Sequence, residues 1–182
     1  MYSRVTDGGR GSYYWGAVRW LQDAGLVTKV NRITKPQFPL RAYEDEGSYK
    51  LFMLDVGLMS AALNLSADTI LEGDELFTQG KGALAEQYVC QQLVASNRCR
   101  PTYWSADGSK QKGEVDFLYE CDGDIIPLEV KSDQNVHSRS LARFAKEHGI
   151  KRSQRLSLKG YEDLGWLVNI PLFAADMLPA RL

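Results

Sequence analysis

Three residues near the middle of the chain have the chemical types and the spacing of a site that acts on phosphodiesters. Twelve residues separate Asp116 from Glu129, and Lys131 follows Glu129 by two positions. Carboxylate oxygens are the ligands that Mg²⁺ and Mn²⁺ prefer, and a neighbouring lysine is placed to hold a water molecule or a phosphate oxygen. We therefore predict a metal site in which these three residues are catalytic. The alternative is an exposed hairpin whose charges form only salt bridges.

The segment that must position these residues has the pattern of a two-stranded hairpin. Residues 114–120 and 125–131 each mix β-branched or aromatic residues with polar ones. Between them lies Asp122-Gly123, and Asp-Gly between such runs favours a type I′ turn, in which both central residues have positive φ. The sequence therefore predicts two antiparallel strands joined by this turn.

The turn also predicts which residues of the two strands face each other. Counting outward from it places Asp116 opposite Glu129 and Glu114 opposite Lys131, with all four side chains on one face of the hairpin. Directly opposite side chains have Cβ atoms only ~4.5–5.5 Å apart. Two carboxylates at that distance need a proton, a lysine or a divalent cation between them.

A helix predicted over residues 83–95 supplies a third candidate ligand. Glu86, Val89, Cys90 and Leu93 fall on one stripe of this helix. A carboxylate on the stripe that faces the core needs a partner, because an unpaired buried charge is very costly. We predict that Glu86 joins Asp116 and Glu129 as a metal ligand. The alternative is that it lies at the edge of the stripe and reaches water.

Composition and cysteine usage exclude several classes of protein. The chain has 182 residues, of which 44% are hydrophobic and 25% are charged, as in an ordinary globular protein. The N-terminus lacks the apolar core of a signal peptide, and no apolar run reaches the ~20 residues that span a bilayer. The three cysteines lack C-x-x-C spacing, and the two histidines have no partner at a metal-ligand spacing. We expect a cytoplasmic protein with free thiols, no membrane association and no zinc site.

The charges are unevenly distributed along the chain. Residues 41–80 contain eight acidic residues against Arg41 and Lys50, whereas residues 131–160 contain eight lysines and arginines against Asp133 and Glu147. A basic stretch after a candidate phosphodiester site suits a polyanion such as a nucleic acid. For each of these residues taken singly, a solvated helix face is the simpler interpretation.

The chain divides into three predicted regions. Residues 1–12 are polar and rich in glycine, and we interpret them as a disordered or truncated start. Residues 13–64 follow the order helix, strand, loop, strand of the back half of a winged helix, which either contacts DNA or serves only for packing. Residues 65–182 form the main domain, and its predicted order from residue 83 is α-β-β-β-α-β-β-α. We predict an α/β (α+β) fold with a mixed sheet flanked by helices.

The candidate site resembles the motif of the PD-(D/E)XK nucleases. Asp116, Glu129 and Lys131 match its positions, although Val115 stands where the motif has proline. Nucleases of this kind often carry an acid on the first helix, where Glu86 lies. The resemblance implies a restriction-endonuclease-like fold and cleavage of nucleic acid, DNA by preference, with Mg²⁺ or Mn²⁺.

The chain as a whole resembles the C-terminal region of prokaryotic AAA-type ATPases, which end in a domain of unknown function that is itself similar to PD-(D/E)XK nucleases. The matching stretches are residues 17–27, 50–58, 82–86, 113–117, 128–132 and 169–173. The resemblance implies an N-terminal ATPase domain of the same protein as a partner, with ATP bound only there. The chain contains no G-x-x-x-x-G-K-[ST], so we expect no ATPase activity from it.

Two other functions are compatible with the same residues. The nuclease-like domain could be a non-catalytic module that binds DNA or docks a partner of the ATPase, because a fold does not by itself imply an activity. The acidic segment of residues 41–80 could instead bind another protein, with no nucleic acid involved. An oligomer is compatible with all of these functions.

Overall fold

The structure of the chain, a computed structural model, describes residues 11–65, 75–95, 100–106, 113–132 and 137–178. The α-helices are α1 (Gly11–Asp23), α2 (Val56–Ala62), α3 (Glu75–Ala95) and α4 (Arg139–His148). The strands are β1 (Val27–Ile33), β2 (Glu44–Met53), β3 (Thr102–Ser105), β4 (Glu114–Cys121), β5 (Asp124–Val130), β6 (Ser153–Ser157), β7 (Glu162–Asp163) and β8 (Leu167–Pro171). Two short 3-10 helices, Leu40–Tyr43 and Leu172–Met177, complete the described elements.

All eight described strands belong to one mixed sheet with the order β2-β1-β3-β4-β5-β6-β8-β7. Strands β3, β4 and β5 are joined by antiparallel pairs, whereas β5, β6 and β8 run parallel to one another. Helices α3 and α4 pack on opposite faces of this sheet. The predicted class, a mixed α/β sheet flanked by helices, is therefore confirmed.

Each face of the sheet has its own hydrophobic cluster. The cluster under α3 contains Val89, Cys90 and Leu93, which are the apolar residues of the predicted stripe. The cluster under α4 contains Leu141 and Phe144. Because the side chains of a strand alternate between faces, a residue's cluster shows which face of the sheet it occupies.

The β4–β5 hairpin forms as the sequence predicts. Cys121 pairs with Asp124, and the ladder continues in the expected register to Phe117 opposite Leu128. The central turn residues have positive φ angles, 51° for Asp122 and 83° for Gly123, as a type I′ turn requires. The turn therefore fixes the register of the two strands that carry the candidate site.

Helix α4 ends just before a glycine. Gly149 closes it in the left-handed conformation with φ of 66°, which glycine adopts without steric cost. Ser138 precedes the first helical residue, but its side chain makes no capping hydrogen bond to the helix. Its hydroxyl instead accepts a hydrogen bond from Arg155 in the neighbouring strand β6.

Helix α3 is longer than the sequence pattern predicts. It begins at Glu75, although residues 65–80 have the composition of a loop and the predicted helix starts at residue 83. Gly80 and Gly82 lower the helical propensity of this stretch by roughly 1 kcal/mol each relative to alanine, which explains the late predicted start. Of the predicted loop, residues 66–74 lie outside the described part of the chain.

Strands β1 and β2 form an antiparallel hairpin at one edge of the same sheet. Strand β1 continues the sheet by pairing in parallel with β3, where Arg32 lies opposite Tyr103. Helix α1, which precedes the hairpin, buries Val18 and leaves Trp15 and Trp20 exposed. The predicted start of the chain lies mostly in residues 1–10, outside the described part, whereas Gly11 already belongs to α1.

Candidate functional site

A bulge in β4 interrupts the regular alternation of side chains next to the candidate site. Thr102 pairs with Leu118 and Trp104 pairs with Val115, so three steps along β4 match two steps along β3. As a result Val115 joins the cluster under α4, while Phe117 joins the cluster under α3. An extra residue of this kind turns the strand locally and ends regular pairing.

Asp116 lies in the bulge, and its side chain accepts a hydrogen bond from the backbone of β5 where the regular pairing of β4 and β5 has ended. Its Oδ2 accepts a hydrogen bond from the backbone N–H of Val130 at 2.8 Å, one step beyond the last regular pair of β4 and β5. Burial raises the pKa of Asp116 to about 7, and the negative charge of Glu86 on α3 adds to this increase. The hydrogen bond from Val130 and the charges of two lysines oppose it. The positive charge around this carboxyl group is therefore too small to offset the cost of burying its ionised form.

Glu129 lies on the face of the sheet that packs against α4. Its neighbours Leu128 and Val130 both belong to the cluster under α3, so alternation places Glu129 on the side of α4. The regular pairs of β4 and β5 end at Phe117 opposite Leu128, so the pairing of Asp116 with Glu129 on one face stays a prediction. The residue is only 7% exposed, yet its Oε2 has no hydrogen-bond partner among the described residues.

Lys131 lies just beyond the end of β5 and forms an ion pair with Glu129. Its Nζ is 2.9 Å from Oε1 of Glu129. Burial lowers the pKa of Lys131, but the bond to Glu129 and the charges of Asp116 and Glu86 outweigh burial and raise the pKa above its ordinary value. The fields of all three predicted acids therefore converge on this ammonium group.

Lys50 is a part of the site that the sequence gave no reason to expect. It lies on β2, and its Nζ is 3.3 Å from Oε2 of Glu86 and also contacts Oε1 of Glu114. The ammonium stands 5.3 Å from the centre of the Tyr103 ring. The sequence signal for this residue is weak, since a lysine inside a short strand is usually a solvated charge.

Arg155 is the second residue that sequence reasoning missed. It lies on β6 directly beside Glu129 and is only 4% exposed. Its Nε donates to Oδ1 of Asn169 at 2.8 Å, and NH1 donates to the hydroxyl of Ser138 at 3.3 Å. Burial lowers the pKa of Arg155, while the charge of Glu129 acts in the opposite direction. Four of the five residues in Ser153–Ser157 are polar, and this composition is the signal that could have identified the polar row.

Two carboxylates of the candidate site have the donor chemistry that Mg²⁺ and Mn²⁺ prefer. The unpartnered Oε2 of Glu129 and the partly buried carboxyl of Asp116 are hard oxygen ligands beside a shortage of positive charge. Among the described residues, no three Asp, Glu, His or Cys side chains are grouped so that they could hold a metal ion. Mg²⁺ is commonly held by one or two carboxylates together with substrate phosphates, so two carboxylates are a sufficient protein contribution.

A groove of about 790 Å³ lies beside the pair of Lys50 and Glu86. It runs between β2, α2 and α3, and both Lys50 and Glu86 form part of its wall.

None of the helices in the described ranges combines the length and the apolar character needed to cross a membrane. The exposed residues of α4 include Arg139, Arg143 and Lys146, three members of the basic stretch.

Comparison with known families gives two matches. The model of the Domain of unknown function (DUF4143) matches residues 81–173, just over half of the chain, and the Domain of unknown function (DUF8612) matches residues 1–69. Domains of the first family are commonly found at the C-terminus of AAA-type ATPases, in agreement with the predicted resemblance. No curated protein and no solved structure matches the chain.

Proposed function

The chain belongs to the family of the Domain of unknown function (DUF4143), and we propose that its core is a nuclease-like domain that binds Mg²⁺ or Mn²⁺ and cleaves phosphodiester bonds. The proposed fold is restriction-endonuclease-like, with the core order α3-β3-β4-β5-α4-β6. The proposed substrate is a nucleic acid, DNA by preference. The proposed partner is the ATPase domain to which domains of this family are commonly joined.

The unsatisfied oxygen of Glu129 is the observation that carries this proposal. A buried carboxylate oxygen without a partner costs roughly 1–3 kcal/mol, or more when it is charged, and Oε2 of Glu129 is such an atom among the described residues. Lys131 satisfies only the other oxygen. A divalent cation beside Glu129 and Asp116 would supply the missing partner and the missing charge.

The residues of the chain have distinct roles in this proposal. Asp116 and Glu129 would hold the cation, which when bound polarises the scissile phosphate and lowers the pKa of its water. Lys131 would stabilise negative charge that develops on the phosphate or on the attacking hydroxide. The N–H of Val130 orients the Asp116 carboxyl through its 2.8 Å hydrogen bond. Arg155 would place a positive charge beside Glu129 from the neighbouring strand.

The position of Glu86 distinguishes it from the other two acids. Its carboxylate is paired with Lys50 at 3.3 Å, so the predicted role as a third ligand requires a different arrangement of that side chain. We retain Asp116 and Glu129 as the proposed ligands and treat Glu86 as a neighbour whose negative charge raises the affinity of the site for cations.

The surface around the site supports nucleic acid as the substrate. Arg139, Arg143 and Lys146 are exposed on α4, and clustered basic side chains on one element favour binding to phosphates. Helix α1 with the β1–β2 hairpin retains the order expected of a partial winged helix, and we propose it as a second contact with DNA. Its two exposed tryptophans are available for such a contact.

A second candidate function is a non-catalytic module that binds DNA or docks a partner. The observation that favours it is Lys50, whose ammonium already contacts Glu86 and Glu114. In this case the lysines alone balance the negative charges of the acids, and the site binds no metal ion. The acidic 41–80 segment as a protein-binding surface is a weaker variant of the same idea.

Cleavage assays separate the two functions. Wild type, Asp116→Ala, Lys131→Ala and the control Lys151→Ala, at an exposed position of the same basic stretch, are incubated with DNA and Mg²⁺ or Mn²⁺. We expect both site variants to lose at least ~10²-fold in rate, and the control to retain the wild-type rate. Equal background cleavage by all four proteins would reject the nuclease. Metal-independent DNA affinity, unchanged in Asp116→Ala, would support the binding module.

A further inference from the structure

Lys50 enters the candidate site from a part of the chain that the main family match does not include. It lies within residues 1–69, whereas Glu86, Glu114, Asp116, Glu129 and Lys131 lie within residues 81–173. The edge strand β2 therefore contributes a positive charge to a site otherwise built by the core. Packing of β2 against its neighbouring strand does not require a positive charge at Lys50, so this charge needs another explanation.

The position of Lys50 is fixed by the contacts of its strand. The buried side chain of Gln87 on α3 accepts a hydrogen bond from the N–H of Met53 and donates one to its carbonyl, both at 2.8 Å. Gln91 accepts a further hydrogen bond from the N–H of Val56 at 2.9 Å. These contacts anchor the end of β2 to the helix that carries Glu86, so the two partners of the ion pair are held in one rigid arrangement.

The ammonium of Lys50 uses the carboxylates that a second metal ion would need. It contacts Glu86 and Glu114 together and stands over the Tyr103 ring. Burial lowers the pKa of Lys50, but the charges of Glu86, Glu114 and Asp116 outweigh this effect and keep the side chain positively charged. A fixed positive charge repels a divalent ion from the same oxygens, whereas Oε2 of Glu129 remains without a partner among the described residues.

We propose that Lys50 is a positioning residue that acts as an internal cation. Its ion pairs with Glu86 and Glu114 prevent a metal ion from binding to these two carboxylates, and the site therefore holds one divalent cation, at Asp116 and Glu129. Two-metal nucleases place their ions ~3.5–4 Å apart, and in this chain an ammonium stands in for the second ion. The inference rests on the proposed function, because it presupposes a cation at Asp116 and Glu129.

Counting bound Mn²⁺ tests this assignment without reference to activity. The loss of the free-ion electron paramagnetic resonance signal is titrated for wild type, Lys50→Met and the matched control Lys29→Met. Lys29 lies on the paired strand β1 with its ammonium 4.5 Å from the Tyr49 ring, so it shares the cation–π setting but not the acids. We expect one Mn²⁺ per chain for wild type and Lys29→Met, and two for Lys50→Met.

Each outcome of the titration has a definite meaning. One Mn²⁺ in wild type and one of unchanged affinity in Lys50→Met would overturn the inference and leave the proposed function intact. No Mn²⁺ in any of the three proteins would overturn both. No Mn²⁺ in wild type but one in Lys50→Met would overturn the inference, because Asp116 and Glu129 then hold no cation beside Lys50, and would also reject metal catalysis by the wild type.

A second variant guards against a folding defect in Lys50→Met. Lys50→Gln removes the charge but keeps hydrogen-bond donors for Glu86 and Glu114, and circular dichroism verifies that it is folded. A purely structural role for Lys50 predicts a lower melting temperature with an unchanged number of bound Mn²⁺ ions, which would also overturn the inference. An internal cation predicts that Mn²⁺ restores the melting temperature of Lys50→Gln.

Discussion

The two halves of the candidate site each pair a lysine with acids, but they differ in how completely the acids are satisfied. In the Lys131 half, formed by Lys131, Glu129 and Asp116, one buried carboxylate oxygen has no partner among the described residues. In the Lys50 half, formed by Lys50, Glu86 and Glu114, the ammonium contacts both carboxylates. The first half is built within one hairpin, whereas the second joins three elements that are distant in sequence.

This difference indicates where a cation would bind. A group buried without a partner costs stability, and such costs are commonly retained where a ligand supplies the partner. The Lys131 half carries that cost and the Lys50 half does not. A count of acidic residues alone would not distinguish the two halves, since each contains two carboxylates.

The largest expected effect comes from the buried arginine behind the Lys131 half. Arg155→Met removes the positive charge beside Glu129, takes its hydrogen bond from the Ser138 hydroxyl, and leaves Oδ1 of Asn169 with the hydrogen bond from Ser157. Because removing one partner of a buried charged network leaves the other uncompensated, we expect a loss of about 3–5 kcal/mol in the free energy of unfolding. Urea denaturation measures this loss.

Arg152→Met is the matched control for that substitution. Its guanidinium pairs with Asp163 at 2.8 Å, but both side chains are more than 40% exposed. We expect a loss below about 1 kcal/mol. Equal losses for the two variants would show that the buried network does not constrain Glu129. A partial recovery in the double variant Arg155→Met with Glu129→Gln would show direct coupling between the two charges.

The pH dependence of stability is expected to be nearly as large. Burial raises the pKa of Asp116 from 3.8 to about 7, so the folded chain holds a proton that the unfolded chain has released. The contribution of this group to stability is full below pH 3.8, decreases as the pH rises, and is lost above about pH 7. The full shift corresponds to up to about 4 kcal/mol.

Asp116→Asn isolates this contribution, because the amide oxygen still accepts the hydrogen bond from Val130. We expect the variant and the wild type to have similar free energies of unfolding near pH 4 and the variant to be the more stable at pH 8. Urea denaturation at the two pH values, without divalent metal, measures the difference. An identical difference at both values would contradict the assignment of Asp116 as a carboxyl short of positive charge.

The smallest expected effect concerns the attachment of the Lys50 half to the core. Gln87→Leu leaves the N–H and carbonyl of Met53 without the partners that they have in this structure. Each unsatisfied buried group costs about 1–3 kcal/mol, reduced where water reaches it, so we expect a loss of about 2 kcal/mol. Gln91→Leu removes only the bond to Val56 and should cost less. The reverse order would show that β2 is not anchored through Gln87.

Local sequence rules predict the parts of the site that depend on neighbouring residues. The register of β4 and β5 follows from the positive φ angles at Asp122 and Gly123, and the inner face of α4 follows from its periodicity. The bulge at Asp116 was not predictable, because it depends on the pairing of β4 with β3 and not on the hairpin itself.

Contacts between distant segments account for the residues that the sequence did not reveal. Lys50 meets Glu86 and Glu114 only because β1 joins the hairpin of β1 and β2 to β3, at Arg32 opposite Tyr103. Arg155 meets Glu129 through a parallel strand pair, whose register no short-range turn determines. A single sequence does not show which distant strands pair, so the partners of both residues could not be predicted from it.

Binding of Mn²⁺ to two matched glutamate variants tests the central claim most directly. Glu129→Gln removes a carboxylate from the Lys131 half, and Glu114→Gln removes one from the Lys50 half, so each lowers the charge of the site by the same amount. We predict that Glu129→Gln weakens Mn²⁺ binding at least tenfold, whereas Glu114→Gln changes it by less than threefold. Equal weakening by both substitutions, or no Mn²⁺ binding by the wild type, would contradict a cation site at Asp116 and Glu129.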